Sequence, residues 1–240
     1  MLITSTENQK IKYLNKLKQK KYRDKEQKFL IETTNLIKEA ANKNLLQEIY
    51  ILETEKIPFK PNCPVYQITK EVLNKIKEIN TSKIIGICKK QTYQEKGTKY
   101  LMLDKIQDPG NLGTIIRSAT AFKIDTIYLS HDSVDLYNPK TIRATEGALF
   151  KTNIIRTNLK EKIKELKTKN INIYGTDVTN GIDIKKIKPQ NYCIIIGNEG
   201  NGISKPIKTL VDKNIYIKTK NVESLNVAIA TSIILYELSK

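Results

Sequence analysis

Apolar and polar positions alternate in short, regular blocks along the whole chain. Ile11, Leu14 and Leu17, with Tyr13 beside them, recur at near-helical spacing. They predict an amphipathic helix within residues 1–28, its outer face carrying Lys10, Lys12, Lys16, Lys18, Lys20 and Lys21. The runs Phe29–Ile31, Glu48–Leu52, Val65–Ile68 and Ile84–Cys88 read as strands. Helical patterns lie between them at Thr34–Ala41 and Lys70–Ile79. The first third is therefore expected to be a small α/β domain. Lys89–Lys99, KKQTYQEKGTK, has no apolar period and reads as a linker, which divides the chain into residues 1–95 and 96–240.

Beyond the linker, strands are expected at Tyr100–Leu103, Thr126–Leu129, Ile171–Tyr174, Cys193–Ile196 and Ile215–Ile217. Helical patterns at Gly113–Phe122, Leu159–Lys167 and Asn226–Leu238 separate several of them. Continuous apolar strands with helices between them predict a parallel sheet covered on both faces.

Charge adds a partner to this picture. The 240 residues carry a formal charge of +17, with an excess of basic side chains in both parts. Such a balance suits a polyanion, by release of counterions from phosphates, and favours nucleic acid over a membrane surface. Nearly all of the positive charge is lysine; the arginines are Arg23, Arg117, Arg143 and Arg156. Guanidinium is worth keeping where a planar fork is needed, so these four are singled out. Three widely spaced cysteines and one histidine, His131, make neither a disulfide framework nor a zinc site with close ligands, and no metal is expected. Met1–Lys10 has no apolar signal core, and Val227–Leu238 is interrupted by Thr231, Ser232 and Glu237. A cytoplasmic protein without a membrane span is expected.

In an open parallel sheet ligands sit beyond the carboxyl ends of strands. Three loops fall at such places. Asp108–Gly113 follows the strand ending near Leu103 and leads into a helix with Arg117 one turn along, so that Asn111 and Arg117 flank one helix start. Gly197–Gly202, GNEGNG, follows Cys193–Ile196 and presents Glu199 among three glycines. Glu223–Asn226 precedes the last helix, where Ser224 reads as an N-cap and Asn226 as a first-turn residue. Each pattern alone is as readily an ordinary turn or cap as a site. No dinucleotide fingerprint and no P-loop is present.

Taken in order, these segments resemble the SpoU (TrmH) family of SPOUT RNA methyltransferases. Asn111–Arg117 resembles its N-x-G-x-x-x-R motif, Ile196–Ile203 its second motif and Ser224–Ala230 its third. Asn138–Ala148 is similar to its K-x-x-R-x-S-x-G-A segment, with Thr145 at the usual serine. The match covers residues 97–240. Ser5–Ile31, with Asn8, Ile11-Lys12, Tyr22-Arg23 and Phe29-Leu30-Ile31-Glu32, resembles the substrate-binding domain of ribosomal RNA ribose methyltransferases, with Glu32-Thr33 where that domain has Glu-Gly.

The resemblance implies an α/β fold with a SPOUT-type parallel sheet and a C-terminal trefoil knot, preceded by a small α/β RNA-binding domain, working as a homodimer. It implies methyl transfer from S-adenosyl-L-methionine to a ribose 2′-hydroxyl, in 23S rRNA rather than tRNA. A tRNA enzyme, or a non-catalytic RNA-binding protein on the same fold, is the alternative. Arg117, Asn111, Glu199, Ser224 and Asn226 are the implied catalytic set. Arginine is a poor base, being protonated to above about pH 12, so Arg117 either accepts the hydroxyl proton in a crowded cationic site or grips the neighbouring phosphate while water takes the proton. Thr176, Gly197, Gly200, Tyr216, Ile217 and Leu225 are the implied cofactor contacts, and Lys12, Arg23, Lys140 and Arg143 are expected at RNA. The family's Ile-Pro-Met-x-Gly is replaced by Tyr216–Lys220, YIKTK, which leaves main-chain contacts as the expected means of binding there.

Overall fold

Asn8 starts the first helix by accepting the Lys10 amide at 2.9 Å, and the stripe Ile11, Leu14 and Leu17 is fully buried beneath it. In the computed structural model, which describes residues 1–178 and 180–240, the chain forms two compact units. The first holds Met1–Thr92 and Tyr137–Phe150, the second Tyr93–Leu136 and Lys151–Lys240.

The first unit runs β1 (Leu2–Ile3), α1 (Gln9–Leu17), α2 (Lys20–Glu26), β2 (Lys28–Glu32), α3 (Thr34–Asn42), β3 (Leu46–Leu52), β4 (Val65–Ile68), α4 (Lys70–Ile76) and β5 (Ile84–Lys89). Its sheet has the order β1-β4-β3-β5-β2, parallel from β1 to β3 and antiparallel from β3 to β2. The α1 stripe packs with Ile68, Val72, Leu73, Ile76 and Ile85 in one core. Each fully buried aliphatic side chain there contributes about 1.5–3 kcal/mol.

The basic N-terminal segment is two helices rather than the single helix expected. Gln27 ends α2 in the left-handed conformation, and Arg23 is 5 % exposed, its Nη1 donating to the carbonyls of Leu17 (3.1 Å) and Lys18 (2.5 Å) at the end of α1. A guanidinium fork suits such paired carbonyls. Residues 137–150 join this unit although they lie beyond residue 96. The Tyr137 and Phe150 rings pack on Phe29, with centroids 4.6 and 6.4 Å away.

Thr33, at the family's glycine position, has φ +92° and accepts the Leu36 amide at 3.4 Å. A β-branched residue is strained in that region by about 1–3 kcal/mol, whereas losing the cap to glycine costs only a few tenths. Thr33→Gly is therefore expected to raise stability by about 1 kcal/mol in urea unfolding; an unchanged or lower midpoint would contradict the strain.

In the second unit seven strands run parallel: β6 (Lys99–Leu103), β7 (Thr126–Leu129), β8 (Asn153–Arg156), β9 (Asn172–Thr176), β10 (Ile182–Asp183), β11 (Tyr192–Ile196) and β12 (Lys213–Tyr216). The order is β10-β12-β9-β11-β6-β7-β8. The main helices are α5 (Pro109–Ala121), α6 (Leu159–Thr168) and α7 (Val227–Leu238). Among the described residues no helix is long and apolar enough to cross a membrane. The strand order reverses direction between β6 and β11, where Leu103 pairs with Ile196. Such a switch point leaves a crevice at the carboxyl ends.

The second half of the expected linker is tied to this sheet. The Thr98 and Lys99 amides both donate to Asp125 Oδ2 at 2.9 Å. The Glu95 carboxylate meets Lys169 (2.6 Å), the Tyr128 hydroxyl (2.6 Å) and Lys162 (3.0 Å). Burial by itself would raise its pKa, but these three hydrogen bonds outweigh that and bring it to about 2. A depressed carboxylate pKa contributes stability above the unfolded-state value, near 4.5, that is lost as pH falls to about 2. After solvent screening, Glu95→Gln is expected to cost about 1–2 kcal/mol at pH 7. The gap from the parent protein should close between pH 4.5 and 2; a pH-independent gap would mean that packing, not charge, is responsible.

Candidate active site

The loops after β6 and β11 start side by side because their strands are paired, and Glu199 joins them. Its carboxylate accepts the Gln107 and Asp108 amides at 3.3 Å each and Asn111 Nδ2 at 3.1 Å. Asn111 Oδ1 in turn accepts Asn226 Nδ2 at 3.1 Å. Glu199, Asn111 and Asn226, which lie in three separate segments of the sequence, thus form one hydrogen-bonded chain.

Each member is held from its own side. Asp108 caps α5 by accepting the Asn111 amide at 2.8 Å, and Pro109 takes the first helical turn, where a missing N–H costs nothing. Asn198 Oδ1 accepts the amides of Gly200 (2.9 Å) and Asn201 (3.1 Å), while its Nδ2 donates to the Lys105 carbonyl at 2.9 Å. A side chain on Gly197 would lie 2.1 Å from the Gly202 backbone, so this glycine serves the loop's own close crossing. Asp104 is 3 % exposed, and its Oδ2 accepts the Ser204 amide at 2.8 Å. Asp104, Asp108 and Asn198 were not among the expected site residues. Asp-Pro ahead of a helix is a recognisable cap signal, whereas nothing local marks Asp104.

The cap of α7 is Asn226, not Ser224. Asn226 Oδ1 accepts the amides of Ala228 (2.9 Å) and Ile229 (3.3 Å). Ser224 lies two residues earlier and lines a neighbouring cleft. One side chain therefore caps α7 and reaches Asn111. Arg117 lies on α5, exposed, and no hydrogen bond or ion pair to another described residue holds it.

The cleft has a volume of about 740 Å³ and is formed by the ends of β9, β11 and β12 and the segment leading into α7. Thr176, Gly197, Gly200, Tyr216, Ile217 and Leu225 all line it, with Ile196 and Ile215 among the apolar walls and Asp177, Glu199 and Glu223 among the acids. Past β12, where the family's proline and glycine are absent, Asn221 takes φ +65° and the Thr219 hydroxyl donates to the Val222 carbonyl at 3.0 Å. A turn is kept by other residues.

The four basic residues expected at RNA all fall in the first unit. Lys12, Lys140 and Arg143 are exposed, the last two on the short helix Pro139–Ala144, whereas Arg23 is buried on backbone carbonyls. Arg156 likewise serves the backbone, donating to the carbonyls of Ser130, His131, Ser133 and Val134 at 2.7–3.0 Å.

Known proteins are similar to this chain over nearly its whole length. The chain is 35 % identical over 98 % of both lengths to the 23S rRNA (guanosine(2553)-2′-O)-methyltransferase RlmP of Bacillus subtilis. The AdoMet-bound rRNA methyltransferase of Sinorhizobium meliloti superposes with a TM-score of 0.86 at 27 % identity, covering 99 % of this chain and 97 % of that one. The SpoU methyltransferase AviRb of Streptomyces viridochromogenes, at 21 % identity, shares the fold with a TM-score of 0.87, over 97 % of each chain. Residues 8–85 match the MRM3-like substrate binding domain. Residues 98–236, which hold the Glu199–Asn111–Asn226 chain and the cleft, match the SpoU rRNA methylase family, and to that family this chain belongs.

Proposed function

We propose that the protein methylates the ribose 2′-hydroxyl of a guanosine in 23S rRNA, with S-adenosylmethionine as the methyl donor. The observation that carries this reading is the meeting of three loops through Glu199, Asn111 and Asn226 at the sheet's switch point, in a chain so similar to RlmP over its whole length. The cleft fits the donor: about 740 Å³ lies within the range of small-molecule sites, about 300–1,000 Å³, and apolar walls with carboxylates suit an adenosyl group bearing a cationic sulfonium. Thr176, Gly197, Gly200, Tyr216, Ile217 and Leu225 would hold it. When bound, S-adenosylmethionine supplies a methyl group already activated for displacement.

What remains for the protein is alignment and one proton. Asn111 and Glu199 fix the start of α5 and so the direction in which Arg117 leaves it. Arg117, with no acceptor among the described residues, grips the phosphate beside the target ribose and holds the hydroxyl in line, and the proton passes to water. Ser224 and Asn226 complete the pocket wall. Residues 1–95 bind the RNA, aided by Lys12, Lys140 and Arg143, and residues 96–240 carry out transfer on a trefoil-knotted fold. The working form is a cytoplasmic homodimer. Its support is α7, apolar nearly all round, with Ile229 and Tyr236 about half exposed.

The test is incorporation of labelled methyl from S-adenosylmethionine into 23S rRNA lacking its modifications, followed by nucleoside digestion. Label on the 2′-oxygen of a guanosine is expected. Label on a base, or in tRNA alone, would overturn the assignment.

A further inference from the structure

Two short loops next to Glu199 carry a charged pair that stands outside the Glu199–Asn111–Asn226 chain. Lys105 lies two residues past β6 and Asp132 three residues past β7, and these strands pair in parallel. Lys105 Nζ is 3.4 Å from Asp132 Oδ2, and the two side chains are 48 % and 67 % exposed. Both loops are held from behind. Arg156 donates to the carbonyls of Ser130, His131, Ser133 and Val134, and the Asp132 carbonyl between them accepts Gln107 Nε2 at 3.1 Å. Gln107 Nε2 also donates to the Lys105 carbonyl at 3.2 Å, while the Gln107 amide donates to Glu199 at 3.3 Å. One residue thus ties the pair to Glu199. Lys105 itself takes φ +60°, a conformation that favours glycine over a lysine. An exposed ion pair returns little stability, so stability does not explain a lysine at this bend.

We propose that Lys105 and Asp132 read the base of the target nucleotide and select guanine. This rests on the proposed 2′-O-methylation of a guanosine and names the residues that tell that base from the others. An RNA base drawn out of its stack is recognised along its Watson–Crick edge. Guanine presents there the O6 acceptor beside the N1–H and N2–H donors. An ammonium beside a carboxylate offers the converse: Lys105 donates to O6, and Asp132 accepts the two N–H groups. Among the described residues none donates a hydrogen bond to the Asp132 carboxylate apart from its ion pair with Lys105, so its acceptor sites face outward. Adenine sets an N6–H donor against the ammonium and a lone pair at N1 against the carboxylate. Uracil offers a single N–H, and cytosine again sets a donor against the ammonium. A carboxylate beside phosphates is repelled, so Asp132 in a chain of charge +17 suits base donors and not the RNA backbone. The pair acts on the choice of base and does not touch the transferred methyl.

Single-turnover methylation by the full chain tests this, with 23S rRNA transcripts carrying each of the four bases at the guanosine mapped by the labelling experiment. The unaltered protein is expected to methylate the guanosine transcript at least about 100-fold faster than the adenosine one. Asp132→Asn turns one acceptor into a donor, the pattern that adenine matches, and should lower the guanosine-to-adenosine ratio by about 30-fold. Lys105→Met keeps the stem but removes the donor to O6; it should lower the guanosine rate about 10-fold and leave the adenosine rate within about twofold. Both side chains are exposed, so S-adenosylhomocysteine binding and the thermal midpoint should hold. A fall shared equally by all four bases would place the pair on the RNA backbone, or in the fold alone, and overturn the proposal. So would a ratio unmoved in either variant, or an unaltered protein that does not tell guanosine from adenosine. Absence of label from every RNA with the unaltered protein would overturn the proposed function and this inference with it, a result seen before any variant is compared.

Discussion

Arg117→Ala is expected to lower single-turnover methyl transfer by about 10²–10³-fold, the usual consequence of deleting one preorganised charged donor. S-adenosylhomocysteine binding should stay within about twofold. The reason lies in where the side chain is. Arg117 is exposed and bonded to no other described residue, so its loss leaves no buried group unsatisfied and the thermal midpoint should hardly move. Arg117→Lys keeps the charge but not the planar fork and should recover less than about one tenth of the lost rate. Retention of more than a third of the activity by Arg117→Ala would remove Arg117 from the site.

Glu199→Gln should have the second largest effect, with a different signature. The carboxylate receives four donors: the Gln107 and Asp108 amides, Asn111 Nδ2 and, at 3.4 Å, Asn198 Nδ2. A carboxamide has only one oxygen, so its NH₂ must face at least one N–H. Hydrogen bonds to a charged acceptor are worth about 1.5–3 kcal/mol each where shielded, and less at this exposed loop. Activity is expected to fall about 10²-fold, with a loss of stability of about 1 kcal/mol. Because Asn111 leans on the same oxygen, adding Asn111→Ala to Glu199→Gln should cost far less than the two single losses combined. Full additivity in that cycle would mean that the two residues act separately.

Much of this architecture could be read from the chain before any coordinates. The run Cys193–Ile196 announces a strand buried on both faces, and it is one, with no residue from Tyr192 to Ile196 exposed. Ile11, Leu14 and Leu17 announce the buried stripe of α1. The motif loops stand at the ends of such strands, but it is the resemblance to the SpoU family that groups Asn111, Glu199 and Asn226, and their hydrogen bonding is seen only in the folded chain.

The misreadings share one cause. β1, β8 and β10 have two to four residues and no pattern of their own; they exist because a neighbouring strand offers an unpaired edge. The break between α1 and α2 depends on Arg23 turning inward to carbonyls, in a segment where every other basic residue looks alike. Asn226 rather than Ser224 caps α7 because Asn226 alone also satisfies Asn111, an acceptor far away in the chain. Residues 137–150 belong with the first unit because of three aromatic rings that meet only after folding.

Local periodicity records which side of an element is buried, since that choice repeats every two or 3.6 residues and is paid in each side chain separately. It carries the elements, the core and the loops that bear chemistry. Which strand lies beside which is another matter. The pairing of Leu103 with Ile196 sets the β6 and β11 loops against each other. That register follows from long-range packing and backbone hydrogen bonding, to which every residue contributes the same N–H and C=O, so the side-chain pattern leaves no local trace of it.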